Sequence, residues 1–510
     1  MARPTSPFVL DKARTSRASA ALAVSLLLTT IFGAGQAVVL VAIVGQGERT
    51  DAFFAAYSVY LPLVLWAAAL RASLVPLVVL TGKADDARRR SHAATVVGRV
   101  AGIGALVSVA LLAASPVLAT ALGHGMSSDG RQLLLECIWL LVAAGFLHFC
   151  SGALSAVLSG TQRFGFSAFA YSAGSAVAIG TSAVLLLWLG VVGSAIGVLC
   201  GAACVALAHG IYARRLGVVV RISVSDAFRR RGRDLWLKVV AGGGLLAAQQ
   251  AGLAITLSRL SPTRGAITSF TYAFMLINLL VSLSFSPLTL ALMPQLVEDV
   301  SATGAAAARA QLVRVMSVAS YFLLPSLLAL VAFADPLLPE VLGGFFTPAG
   351  AERLVDMIHV LAIVAIPTAV FFVAGNALHA LQRWGQIVWL SFVAVAIHAA
   401  IVLPLGGLGP VAVTVGHTAA IVVIAAVVAR AAFGSRAWQA VGAALIRIAP
   451  AACMALVFIL ARLSIGDDPP VGLAGAALAA ASLAYLYLLL TVRADLRGRL
   501  RSVLAERLSR

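Results

Sequence analysis

Apolar runs, each about long enough to cross a bilayer, recur along the whole chain and end at charge, glycine or proline. A bilayer core is about 30 Å thick, which an α-helix covers in roughly 20 residues. Without water to bond, each run must satisfy its own backbone N–H and C=O groups, and a helix does so. Read in order, the runs give spans over 18–45, 53–80, 93–122, 132–158, 166–189, 191–213, 237–259, 266–293, 312–333, 357–379, 386–404, 408–430, 440–462 and 470–492. The expectation is an all-α polytopic membrane protein with about fourteen transmembrane helices. Tight turns at Gly190 and Gly406 divide two pairs of spans. A basic lead (Arg3, Lys12, Arg14, Arg17) precedes the first run, as in a secretory leader. That run, Ala18 to Gly45, exceeds the roughly 7–15 residues of a leader's apolar core, so it reads as a retained span.

Composition agrees with lipid as the solvent. Residues are 61% hydrophobic and 11% charged, where a soluble domain carries about 25% charged. Lys and Arg number 37 against 19 Asp and Glu, a formal +18. Their placement points away from nucleic acid. With a cytoplasmic N-terminus, the inner connections hold Arg88, Arg89 and Arg90, the cluster from Arg214 to Lys238, and the tail from Arg493 to Arg510. The outer connections hold few cations and most of the acids, among them Glu48, Asp51, Asp335, Glu340, Asp467 and Asp468. This is positive-inside asymmetry, with both termini cytoplasmic, and it makes anionic lipid headgroups the neighbours of the basic loop. The five cysteines lie in apolar runs and show neither disulfide nor zinc spacing. No GxxxxGK[ST] cradle is present, so no cofactor is expected; drive would come from an ion gradient, the membrane potential or substrate flux.

An internal repeat organises the spans. Gln162-Arg163-Phe164-Gly165 recurs as Gln382-Arg383-Trp384-Gly385, Leu189-Gly190 as Leu405-Gly406, and Gln36-Ala37 as Gln250-Ala251. The offsets, 214–220 residues, correspond to six helices. An even-numbered repeat keeps its orientation, so the copies relate by an axis along the membrane normal. The expected organisation is a cytoplasmic N-terminus (1–17), an N-lobe (18–213), a basic linker (214–236), a C-lobe (237–430), two further helices (440–492) and a basic tail (493–510). Two lobes meeting at mid-membrane suit alternating access.

Ionisable residues inside spans are functional candidates, because an arginine in a helix core costs roughly 2.5–3.5 kcal/mol. Arg71 lies two-thirds of the way down the second span. A substrate phosphate in a wet central cavity would offset its cost, and snorkelling to the inner headgroups is the alternative. Asp51, in Thr50-Asp51-Ala52, opens the second span at the outer face; it would gate or couple, or be a plain helix N-cap. Gln36, Gln249, Gln250 and Asn278 are intramembrane amides, suited to lining an interface or to bonding between helices. His148, His209, His398 and His417 are scattered and read as packing or helix–helix hydrogen bonds, and no metal spacing occurs. Gly193, Gly197 and Gly201 form a small-residue face for close helix packing.

The stretches Ile31-Phe32-Gly33 to Gly45, Thr50-Asp51-Ala52-Phe53-Phe54-Ala55-Ala56-Tyr57 and Ser73-Leu74-Val75-Pro76 resemble the opening of the MurJ/MviN lipid II flippase family. So do Gly265 through Ala273, Met293-Pro294-Gln295 and Gly343-Gly344-Phe345-Phe346-Thr347. That family falls within the multidrug/oligosaccharidyl-lipid/polysaccharide (MOP) exporter superfamily. The resemblance implies a V-shaped pair of lobes in a bacterial inner membrane. It also implies outward movement of a polyprenyl-(pyro)phosphate-linked glycan for peptidoglycan or another envelope polysaccharide. The family's cavity arginines of the first and eighth spans are replaced here by Thr30 and Gln36 and by Tyr272-Ala273-Phe274-Met275; Asp51 matches outright. Either Arg71 alone takes the phosphate, or the cargo is a different lipid-linked or amphipathic molecule. Three other readings are an ion-coupled exporter of a drug or natural product, a transport-inactive envelope scaffold, and a glycosyltransferase using Glu48 or Asp51 as base. The last needs a large outer region, and the longest outer connection, about 334–356, is only moderately polar. The chain is therefore not expected to be an enzyme.

Overall fold

In this computed structural model, residues 12–79, 86–160, 164–218, 232–466 and 469–508 are described, and every element among them is helical. In chain order these are α1 (Lys12–Val44), α2 (Glu48–Val79), α3 (Asp86–Leu122), α4 (Ser128–Gly160), α5 (Phe164–Leu189), α6 (Val191–Arg215), α7 (Gly232–Leu260) and α8 (Ala266–Thr303). Then come α9 (Ala305–Leu342), α10 (Pro348–Ala362), α11 (Ala365–Ala380), α12 (Trp384–Val402), α13 (Pro410–Phe433), α14 (Ala437–Ser464) and α15 (Val471–Leu508). Each apolar run read from the sequence falls on one of these helices; the tenth falls on two. α10 and α11 meet at a bend of 50° around Ile363 and Val364.

Eleven helical stretches among the described residues are long and apolar enough to cross a membrane, or twelve if α10 and α11 form one span. That is fewer than fourteen. One of the eleven, Pro410–Ser464, is 55 residues long and holds both α13 and α14. In α1 only the short apolar helix Ile31–Val44 is counted. The outer connection expected over 334–356 is largely helix, with only Gly343 to Thr347 between α9 and α10.

Contacts group the chain into two units. One comprises Met1–Thr271 with Gln382–Ala420, and the other Tyr272–Leu381 with Ile421–Arg510. In the first, small residues let helices approach until backbones touch. α5 and α6 form a hairpin through Gly190, whose φ of 56° is costly for any residue bearing a Cβ. Along it a Cβ at Gly193 would lie 2.4 Å from the Leu185 carbonyl oxygen, at Gly197 2.1 Å from Ser182 Oγ, and at Gly201 2.6 Å from the Gly174 carbonyl oxygen. The glycine face read from the sequence is thus the α5–α6 seam. Likewise α4 meets α2 where a Cβ at Gly152 would be 2.4 Å from the Ala67 carbonyl oxygen. A buried cluster of Ala67, Val97, Val100, Ile103, Phe149 and Val157 binds α2, α3 and α4 together, with Trp66 edge-on to Phe149 at 5.9 Å. α7 packs on α2 and α12 through adjacent glycines: a Cβ at Gly243 would strike Trp66, and one at Gly244 would strike Ser391.

In the second unit α9 is the centre, packed by α14, α15, α10 and α11. The Tyr485 hydroxyl donates to the Tyr321 carbonyl at 2.5 Å and fixes α15 to α9. Arg309 donates to the Phe433 carbonyl at 3.1 Å.

Candidate functional site

The first turn of α2 carries Glu48 and Asp51. Because α2 begins at Glu48, Asp51 is not the N-cap of its own helix. Its carboxylate, 2% exposed, reaches the start of α8 instead. Oδ2 accepts the Gly265 N–H at 2.6 Å, and Oδ1 accepts the Thr268 N–H at 2.8 Å and the Thr268 hydroxyl at 2.6 Å. A helix start leaves N–H groups unpaired and carries about half a positive charge, so a carboxylate satisfies both needs. Hydrogen bonds to a charged group contribute roughly 1.5–3 kcal/mol each, which offsets the burial of the anion.

Neighbouring groups extend this seam. Gln46 Nε2 donates to the Gly265 carbonyl at 2.9 Å and to Ser269 Oγ at 2.8 Å. Glu48 Oε1 accepts the Ser127 N–H at 2.6 Å. The α3–α4 connection is tied to the end of α7: Ser258 donates to the Ala121 carbonyl at 2.6 Å, and Ser261 Oγ lies 3.0 Å from His124 Nδ1. At Gly125 a Cβ would fall 2.3 Å from Pro262 Cα. The starts of α2 and α8 and the ends of α3 and α7 therefore form one closely bonded cap. Gln46, Thr268 and Ser269 were not singled out in the sequence; the repeat offset was the signal that could have found them, since Gly265 follows Asp51 by 214 residues.

The amides fall in different surroundings. Gln36 Nε2 donates to Ser182 Oγ at 2.8 Å and points toward the Ser194 carbonyl at 3.4 Å, so it is bound into α5 and α6. Gln250 on α7 is 6% exposed, and its Oε1 has no hydrogen-bond partner. Seven residues beyond Gly243, it shares that glycine's face of α7, the face toward α2. Gln249 is half-buried. Asn278, in the second unit, donates to the Phe274 carbonyl of its own helix at 3.2 Å. Arg71 falls in α2, but its side chain lies outside the described residues.

Two pairs of histidines prove not to be scattered. His398 and His417 have ring centroids 5.0 Å apart and share Thr256. His148 and His209 flank Tyr171, at 6.2 and 5.3 Å from its ring. No cluster of three or more His, Cys, Asp or Glu suited to a metal occurs among the described residues.

The sequence profile of the family described as lipid II flippase MurJ matches residues 40–467. No curated protein sequence matches the chain. Among solved structures, a lipid II flippase MurJ in an inward closed conformation is similar with a TM-score of 0.70 and 15% identity, covering 93% of this chain and 99% of that one. A MOP superfamily transporter from Pyrococcus furiosus, whose binding pocket is described as having reverse polarity that suggests a different function, gives 0.60 at 15% identity, over 84% of this chain and 96% of that one. An inward-facing multidrug resistance MATE family transporter gives 0.60 at 16% identity, over 83% and 95%. At these identities the likeness is one of fold.

Proposed function

The chain belongs to the MurJ lipid II flippase family, and from that premise we propose that it carries a polyprenyl-(pyro)phosphate-linked glycan from the inner to the outer leaflet by alternating access. The single observation that carries the mechanism is the Asp51 clamp. Gly265 follows Asp51 by 214 residues, within the offset that relates the two six-helix lobes. A residue that touches its own repeat counterpart lies near the axis relating the copies, so the clamp sits where a central path would open outward. Outward release of cargo then requires the three bonds to Asp51 to break. A closure of this strength is broken by a ligand that binds the open state better than the closed one.

Arg71 is the proposed phosphate ligand, since guanidinium binds phosphate oxygens in a bidentate fashion. The unpartnered Gln250 Oε1, with Gln249, supports an assignment of this face of α7 to the path of the glycan, whose hydroxyls would donate to it. Gln36 and Asn278 are further proposed substrate contacts, each on its own lobe. Both termini are taken as cytoplasmic, with anionic lipids against the 214–236 loop and an ion gradient or the membrane potential as the drive.

The test is reconstitution in liposomes with a fluorescent polyprenyl-pyrophosphate glycan. The expected result is movement well above protein-free vesicles, lost in Arg71→Ala. Equal movement by wild type and Arg71→Ala would remove the phosphate assignment, and no movement by wild type would remove the flippase reading.

A further inference from the structure

Thr256, His398 and His417 come from α7, α12 and α13, all within one contact unit. They are completely or almost completely buried, at 0, 1 and 0% exposed. Thr256 Oγ1 lies 3.0 Å from His398 Nε2 and 2.9 Å from His417 Nδ1, and it donates to the Gly252 carbonyl at 3.1 Å. A hydroxyl has one hydrogen and two lone pairs. With that hydrogen on Gly252, Thr256 accepts from both imidazoles. This assigns the ring hydrogens to Nε2 of His398 and Nδ1 of His417. Nδ1 of His398 is left as a bare basic lone pair, buried and without a hydrogen-bond partner.

Such an arrangement is expensive. An unsatisfied buried polar atom costs about 1–3 kcal/mol, and ionisable side chains inside spans are otherwise scarce. The rings pack edge to face: Phe270 lies edge-on to His417 at 5.2 Å, and His417 is inclined at 73° to His398. On the other side the backbone of Gly252 presses against His398, where a Cβ would sit 2.6 Å from Nδ1. Nothing there accepts a hydrogen bond from Nδ1. A proton on that atom can be held only in a conformation that draws Gly252 of α7 away from α12.

We propose that the Thr256–His398–His417 triad is a proton-binding site: His398 Nδ1 takes up a proton when α7 and α12 part, and releases it when they close. No bond other than N–H forms or breaks, and His398 carries the charge while its Nε2–H still donates to Thr256. Proton and cargo are then linked reciprocally, since each favours one arrangement of α7. The inference rests on the transporter reading for the motion it invokes. The surrounding elements supply few competing groups. α12 and its following turn have no Asp, Glu, Lys or Arg from Trp384 on, and α13 has none up to Ala420. From Val240 on, α7 contributes Arg259, one turn beyond Thr256, packed against Gly406; Arg233, Asp234 and Lys238 stand at its far end. α8 contributes none up to Thr271. α2 carries Asp51, engaged by α8, with the Tyr57 and Tyr60 rings tilted against each other at 5.1 Å, and α3 carries Arg99.

The experiment uses the full chain, 15N-labelled at histidine, in lipid nanodiscs. Imidazole nitrogens are followed by NMR between about pH 5 and about pH 8.5, the interval in which histidine ordinarily changes charge. One triad imidazole, identified by its absence in His398→Asn, is expected to become imidazolium within that interval. If both stay neutral throughout, the proposal falls. Should His398→Asn not fold, His417→Asn makes the assignment.

A parallel arm uses proteoliposomes with the fluorescent polyprenyl-pyrophosphate glycan under an imposed pH gradient. The gradient is expected to change the wild-type rate by about fivefold or more, and His398→Gln to lose that response. Glycan movement indifferent to the gradient overturns the proton site and leaves the flippase reading standing. No movement in any vesicle overturns the flippase reading, and the imidazole titration alone then decides the proton site.

Discussion

Asp51 takes both hydrogen-bond donors of Thr268, the backbone N–H at 2.8 Å and the hydroxyl at 2.6 Å, through a single carboxylate oxygen. Two donors from one residue on one acceptor make the pair strongly coupled. Asp51→Asn turns that acceptor into an amide and is expected to cost about 2–3 kcal/mol of stability. Thr268→Val should cost less, because the backbone N–H remains. In a double-mutant cycle read by thermal unfolding in detergent, the two effects should fall short of additivity by about 0.5–3 kcal/mol. Simple additivity would mean that the two residues act independently.

The flippase and ion-coupled exporter readings separate on the same residue and one other. A flippase holding a phosphate loses transport with Arg71→Ala. An exporter of a drug or natural product keeps transport in Arg71→Ala and loses it in Asp51→Asn. Vesicles loaded in parallel with the fluorescent glycan and with a fluorescent cationic drug decide between them.

Gln36 and Gln250 should behave in opposite ways when made apolar. Gln36→Leu discards hydrogen bonds to α5 and α6 and should lose about 1 kcal/mol in unfolding. Gln250→Leu removes an acceptor that has no donor and should leave stability unchanged or raise it. If Gln250 is kept for cargo, glycan transport should fall in that same stable variant, a trade of stability against activity. A Gln250→Leu variant that is both stable and fully active would assign Gln250 no part in transport.

At the α5–α6 seam, Gly197→Ala places a methyl within 2.1 Å of Ser182 Oγ, the same hydroxyl that Gln36 engages. Overpacking there should cost about 1–3 kcal/mol. Gly180→Ala on α5, with nothing within 4 Å of the added carbon, is the control and should be neutral or slightly stabilising. Unfolding midpoints of the two variants check this directly.

Orientation can be read with a membrane-impermeant thiol reagent on a cysteine-free background. Ser128→Cys, at the exposed start of α4, should label in intact cells. Ser225→Cys, in the basic loop, should label only after the membrane is opened. The reverse pattern would invert the topology.

Helices were legible because lipid leaves the chain no other choice, and apolar length alone marks each one. The break between α10 and α11 was not. It falls at Ile363 and Val364, in an apolar stretch with neither glycine nor proline at the break. Gly193, Gly197 and Gly201 announced a seam, because close approach demands small residues at a fixed spacing. The partners of Asp51 lie more than two hundred residues away, and only the repeat register hinted at them. The histidine pair was hidden for a different reason. His398 and His417 are separated by the turn through Leu403–Leu405, and Thr256 is 142 residues from His398. No local pattern marks three polar residues that tertiary packing alone assembles.

Between α5 and α6 there is no room for even one methyl group at three successive turns. Two rods fitted that tightly cannot slide or tilt against each other, so they travel as one plank. Whatever bending the carrier performs falls on its looser joints, and a ligand wedged into this one would jam nothing that moves.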